Sequence, residues 1–195
     1  VLAAVWAARI PVPDVLVAND GRTFAVRGGD GRLAFHHTGG DTFAIHEWLA
    51  GDADGRDLHD RALGQGIACD TSGCIGKLAD GALVAYVTAP DAFEEDCARA
   101  ILIVTAHEPP PGCAAFVIGR KLWRTHGALA LRRSGSGFVI GSARPASFDR
   151  PWAPAPQHSR LTATAGADAD AAAPTLSRAP PRDATPRPED IEADQ

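Results

Sequence analysis

The apolar residues of this chain come in short runs that turn residues repeatedly interrupt, and this restricts it to a fold of short strands and short helices. Runs at 15–18, 24–26 and 33–35 are separated by Asn19-Asp20-Gly21 and by Gly28-Gly29-Asp30-Gly31. Asp-Gly turns of this kind supply the positive φ that tight hairpins require, so residues 14–37 predict a three-stranded antiparallel meander. In the next stretch, DTFAIHEWLAGDA, Phe43, Ile45, Trp48 and Leu49 have a mostly helical spacing. Asp41 or Thr42 serves as N-cap and Gly51 ends the helix. The spacing of RDLHDRAL predicts a second short helix over 56–63. IACDTSGCIGKL then predicts a hairpin turning at Asp70-Thr71-Ser72-Gly73, with Cys69 and Cys74 flanking the turn.

The second half alternates strand and helix. ALVAYV (82–87) and ILIVT (101–105) are continuous apolar runs on either side of a short helix at 91–99, opened by Pro90-Asp91. Strand, helix and strand of this kind form a β-α-β unit covered on both faces. After Pro109-Pro110-Pro111-Gly112 come a strand at 114–118, a short helix near 120–125, and strands at 128–133 and 138–143 joined by Ser134-Gly135-Ser136-Gly137. The expectation is one α+β domain over 14–152, a mixed sheet with short helices. Trp152 would anchor its end, since burying so large an aromatic stabilises a fold. Beyond it, residues 153–195 are rich in Ala, Pro, Asp, Thr and Arg and almost devoid of large apolar side chains. Such a segment cannot bury enough surface to offset the entropy of ordering, so it is expected to be a disordered tail.

Residues 1–13 are read separately. VLAAVWAA is apolar but far shorter than the roughly 20 residues a bilayer demands, Arg9 follows, and Ile10-Pro11-Val12-Pro13 stops any helix. The segment fits either the end of a truncated membrane helix with its linker or an N-terminal core element. The chain starts at Val1 and contains no Met, which favours a piece of a longer polypeptide.

Charge is distributed unevenly. Residues 1–108 hold 8 basic and 16 acidic side chains, whereas 109–148 hold Arg120, Lys121, Arg124, Arg132, Arg133 and Arg144 and no Asp or Glu. A basic block free of acids is either a polyanion-facing surface or a counterweight to the acidic first half. The four cysteines, Cys69, Cys74, Cys97 and Cys113, leave three readings open: two disulfides, a zinc site, or free thiols. Only one C-x4-C knuckle is present where a four-cysteine zinc site needs two.

Catalytic motifs are missing. No G-x-S-x-G elbow, Walker loop or dinucleotide-binding glycine pattern occurs. His36 and His37 adjoin on a strand and so point to opposite faces. His46 and His59 lack a helical ligand partner, and His107-Glu108 follows a buried strand at the edge where α/β sites often lie. Neither a cofactor nor a small-molecule ligand is indicated.

DVLVANDGRTFAVRGGDGRLAFH, FAIHEWLAGDADGRD, GIACDTSGCIGKLADGALVAYV and CAAFVIGRKLWRTHGALALRRSGSGFVI, closing on ARPASFDRPWAP, together resemble the C-terminal region of alphaproteobacterial ComEC-type DNA-uptake (competence) proteins. The resemblance covers about residues 1–156. It implies a polytopic channel domain upstream in the same polypeptide, an inner-membrane protein with this region on the periplasmic side, and transport of single-stranded DNA during transformation. Many members end in a metallo-beta-lactamase-like domain thought to act as a nuclease. The nearest approach to its H-x-H-x-D-H ligand motif is His36-His37-Thr38-Gly39-Gly40-Asp41, which does not match. The expectation is therefore a degenerate, non-catalytic relative of that domain, with a small metal-dependent hydrolase or a purely structural module as alternatives. Arg120, Lys121, Arg124, Arg132 and Arg133 are the candidate contacts to single-stranded DNA. A location outside the cytoplasm further implies disulfides, expected to pair Cys69 with Cys74 and Cys97 with Cys113.

Overall fold

The computed structural model describes residues 11–39, 42–145, 150, 152 and 162–164. The fold class is α+β, with the strands divided between two sheets. The first half opens with β1 (Val15–Val17), β2 (Thr23–Arg27) and β3 (Leu33–His37), followed by helix α1 (Phe43–Gly51) and the hairpin of β4 (Ile67–Cys69) and β5 (Gly73–Lys77). The second half runs through β6 (Leu83–Val87), α2 (Phe93–Arg99), β7 (Ala100–Thr105), β8 (Phe116–Ile118), α3 (Arg120–His126), β9 (Leu129–Ser134), β10 (Gly137–Ser142) and β11 (Thr162–Thr164).

One sheet has the order β11-β10-β9-β1-β2-β3 and is antiparallel throughout. The other has the order β4-β5-β6-β7-β8, with β6, β7 and β8 parallel as the β-α-β pattern requires. Side chains alternate along each strand, so each sheet has two usable faces. Val15, Val17, Phe24 and Val26 of the first sheet meet Val84, Leu102, Val104 and Ile118 of the second in a shared core. On the first sheet's outer face, Ile45 and Leu49 of α1 cover Leu16, Ala25, Leu33 and Phe35. On the second's, Phe93 of α2 covers Ala85, Val87 and Ile103. The layers thus run helix, sheet, sheet, helix. The sheets approach closely at Gly76, where an added Cβ would come within 2.9 Å of Val26 Cγ2.

The helix expected over 56–63 is replaced by irregular chain and a single 3-10 turn, Arg61–Gly64. Short acidic side chains compete with the helix for its backbone donors. Asp57 Oδ1 accepts the His59 N–H at 2.9 Å, and Asp60 Oδ1 accepts the Ala62 N–H at 2.8 Å. Arg56 is drawn inward as well, donating to Leu33 O at 2.6 Å, to Ala62 O at 3.1 Å and to the Asp54 carboxylate. Helix α1 starts from Thr42 without a side-chain cap and runs through Gly51 to Asp52.

Arg56 holds the Asp54 carboxyl below the ordinary carboxylate range, chiefly through side-chain hydrogen bonds, with burial working in the opposite direction. A depressed folded-state pKa contributes stability above the unfolded value, about pH 4, that is lost as the pH falls through the folded value. In urea titrations across the acid range, the gap between wild type and Asp54→Asn should be constant from pH 7 to about 5 and close below about pH 4. A gap that stays unchanged to pH 2 would remove Asp54 from the acid response.

Trp152 does not anchor the domain: its side chain is 79% exposed. The sheet edge beyond β10 is occupied instead by backbone pairing, with Phe138 opposite Ala163. Within the tail expected to be disordered over 153–195, residues Thr162–Thr164 instead form β11 on this edge; the rest of that tail and the expected membrane-helix end at 1–10 lie outside the described residues. Among the described residues, no helix is long and apolar enough to cross a membrane.

Candidate functional site

Two constellations stand out, one basic and one built around sulfur. The basic one lies on α3. This helix follows Gly119 directly after β8, and its buried Trp123 inserts into the core shared by the two sheets. Arg120, Lys121 and Arg124 therefore point outward, and all three are exposed. With His107, Glu108 and Gly119 they line a cleft of about 640 Å³. The cleft lies beyond the carboxyl ends of the parallel strands β7 and β8, where open α/β sheets commonly bind ligands. Arg144 extends the basic surface, donating to Arg124 O at 3.1 Å. Among the described residues no ion pair joins these cations to an acid. The His107 ring is turned toward Thr88 O, with Nε2 at 2.8 Å.

Arg132 and Arg133 belong to a separate place, toward the far end of β9. Arg133 is committed to structure. Its Nε donates to Asp80 Oδ2 at 2.9 Å, its backbone N–H donates to Asp14 Oδ2 at 2.6 Å, and its guanidinium sits 5.4 Å from the Phe138 ring centroid. The Asp80 carboxyl is correspondingly held below its ordinary range, first by the hydrogen bond from Arg133. Of the five candidate DNA contacts, three share one surface.

The second constellation sits where β3 of the first sheet meets β4 and β5 of the second. Cys69 and Cys74 are directly opposed in the β4–β5 register and are disulfide-bonded; Cys97 of α2 is bonded to Cys113. The turn between Cys69 and Cys74 is set by Asp70, whose Oδ1 accepts the N–H groups of Ser72 at 2.7 Å and Gly73 at 2.9 Å. Against this disulfide lies His36, with Nδ1 3.3 Å from Cys74 Sγ and 3.5 Å from Cys69 Sγ. Its ring is flanked by Phe24 at 5.3 Å and Tyr86 at 5.1 Å between centroids. Burial, and then the neighbouring His37, lower the His36 pKa, which favours the neutral imidazole. His37 faces the opposite way, toward the α1 side, with Nδ1 2.8 Å from Thr23 Oγ1. The strand alternation that separates the two histidines is thus realised.

The meeting of His36 with the cysteines was beyond sequence reasoning, since 33 residues separate His36 from Cys69 and they belong to different sheets. The C-x4-C knuckle was its only signal. The fold defines an α+β domain of two packed sheets with a helix on each outer face. Comparison with protein-family models, with curated proteins and with solved structures finds no match.

Proposed function

We propose that this chain is a non-catalytic accessory domain of a DNA-uptake channel, helping single-stranded DNA cross the inner membrane during transformation. Its partners are then single-stranded DNA and the membrane channel domain of the same polypeptide, and its location is periplasmic. The observation that carries the reading is the exposed trio Arg120, Lys121 and Arg124 on one helix of an otherwise acidic domain, beside a cleft of about 640 Å³. Two disulfides support a location outside the reducing cytoplasm. The helix, sheet, sheet, helix layering supports descent from a metallo-beta-lactamase-like scaffold, and the opposed orientations of His36 and His37 support a version without that family's metal-binding histidine cluster.

The test is salt-dependent binding of a fluorescent oligonucleotide. Each phosphate neutralised on single-stranded nucleic acid contributes about 0.7 to the slope of log K against log salt. The triple variant Arg120→Ala, Lys121→Ala, Arg124→Ala should therefore lose about 2 from that slope, while Arg133→Ala should leave the slope unchanged. Absence of binding by wild type even at low salt would eliminate direct contact and leave a structural module packed on the channel.

A further inference from the structure

We propose that reduction of the Cys69–Cys74 disulfide turns this corner of the protein into a binding site for one thiophilic d10 metal ion, zinc(II) or copper(I), held by Cys69, Cys74 and His36. The geometry is close to what such an ion requires. With Zn–S near 2.3 Å and Zn–N near 2.0–2.1 Å, a tetrahedral site places nitrogen and sulfur ligands about 3.5 Å apart. His36 Nδ1 already stands 3.3 Å and 3.5 Å from the two sulfurs. Two adjustments remain. The sulfurs, no longer bonded, must part to about 3.8 Å, the ligand edge set by the same bond lengths. The imidazole must also turn about its Cβ–Cγ bond, because Cys74 Sγ, at 3.9 Å from Nε2, lies over the ring instead of along a nitrogen lone pair. Both are side-chain rotations that leave the strands in register.

The surroundings define a three-ligand site. Asp70 spends a carboxylate oxygen on two backbone N–H groups, and among the described residues the ligand atoms that come together are those of His36, Cys69 and Cys74. A fourth position is left for solvent on the side of Cys69, which is exposed on the edge strand β4. Three protein ligands with one open position is the arrangement of zinc sites that bind an exchangeable ligand. Thiolates beside an imidazole select soft or borderline ions over magnesium or calcium.

The chemistry balances as follows. A dithiol reductant delivers two electrons and two protons, breaking the Cys69–Cys74 bond and itself becoming a disulfide. The ion then displaces the two thiol protons to solvent and accepts the His36 lone pair. Disulfide and metal are mutually exclusive occupants, so each opposes the other by linkage. Zinc at 100 times its dissociation constant should shift the dithiol–disulfide equilibrium about 100-fold toward the dithiol.

The experiment uses the full chain, oxidised or reduced, with zinc(II) as the titrant and cobalt(II) as the optical probe. Reduced wild type should bind one equivalent with a thiolate-to-cobalt charge-transfer band, and the oxidised protein should bind none. Losing a mere outer-shell partner weakens metal binding by about 10–100-fold, so His36→Ala should weaken it at least tenfold. Cys69→Ser with Cys74→Ser should abolish binding, whereas Cys97→Ser with Cys113→Ser should retain it. Far-UV circular dichroism follows folding in every sample. Failure of folded, reduced wild type to bind overturns the proposal, as does binding of undiminished affinity in His36→Ala; in either case His36 merely packs against the disulfide. Loss of fold on reduction that zinc does not restore overturns it equally.

Discussion

Replacing Asp52 by Ala should destabilise the domain by about 3–5 kcal/mol, the cost of breaking a buried ion pair by removing one partner. Arg27 reaches Asp52 through two parallel hydrogen bonds, at 2.9 Å and 2.7 Å, and the side chains are only 10% and 14% exposed. The same guanidinium donates to Pro13 O at 2.9 Å and Gly31 O at 2.7 Å. One residue therefore ties together the entry to β1, the β2–β3 turn and the end of α1. Without the carboxylate the cation stays buried with two carbonyls and no counter-charge, and the end of α1 loses its hydrogen bonds to β2. Arg27→Lys, with Asp52 in place, should also destabilise the domain, since a lysine cannot supply the planar fork. A paired replacement, Arg27→Met with Asp52→Leu, should be less damaging than either single change, because the desolvation of two charges disappears with them. Urea unfolding of the four proteins decides the matter; a loss under about 1 kcal/mol for Asp52→Ala would place the pair among ordinary surface bridges.

Much of this architecture was legible because it is local. The turns at Asn19-Asp20-Gly21 and Gly28-Gly29-Asp30-Gly31 announce themselves by residue type, and Gly21 and Gly31 take φ of 67° and 77° in the structure. The buried runs around α2 likewise fix the parallel pairing of β6 with β7. What stayed hidden depends on residues far apart in the chain. The pairing of β1 with β9 joins Val15 to Leu131, and no periodicity specifies it. For Arg133 the sequence left two roles open, a DNA contact or a counterweight to the acidic first half, and only its meeting with Asp80, 53 residues away, commits it to the second. The 56–63 segment failed for a different reason. Its apolar spacing was helical, but Asp57 and Asp60 preferred their own backbone, a competition decided at side-chain level. For the candidate sites the division is the same: the basic character of α3 is written in consecutive residues, whereas the sulfur–imidazole cluster exists only once two sheets are packed.

Gly21→Ala should destabilise the domain by on the order of 2–5 kcal/mol, combining a left-handed backbone with overpacking. Gly21 adopts φ of 67°, and a Cβ there would lie 2.4 Å from Cζ2 and 2.5 Å from Cε2 of Trp123. The indole cannot retreat, for it is 4% exposed and packed among the residues that join the two sheets. Gly31→Ala is the internal control. Its φ of 77° imposes a similar backbone penalty, yet nothing lies within 4 Å of the added methyl, so it should cost only about 1–2 kcal/mol. The difference between the two variants measures the clash with Trp123 alone. Because Trp123 fixes α3 to the sandwich, displacing it also moves Arg120, Lys121 and Arg124, so under the proposed DNA role Gly21→Ala should weaken oligonucleotide binding at temperatures where the domain is still folded, whereas Gly31→Ala should not. Equal melting temperatures for the two variants would show that the turn yields to the methyl without disturbing the indole, and would separate the stability of α3 from the β1–β2 turn.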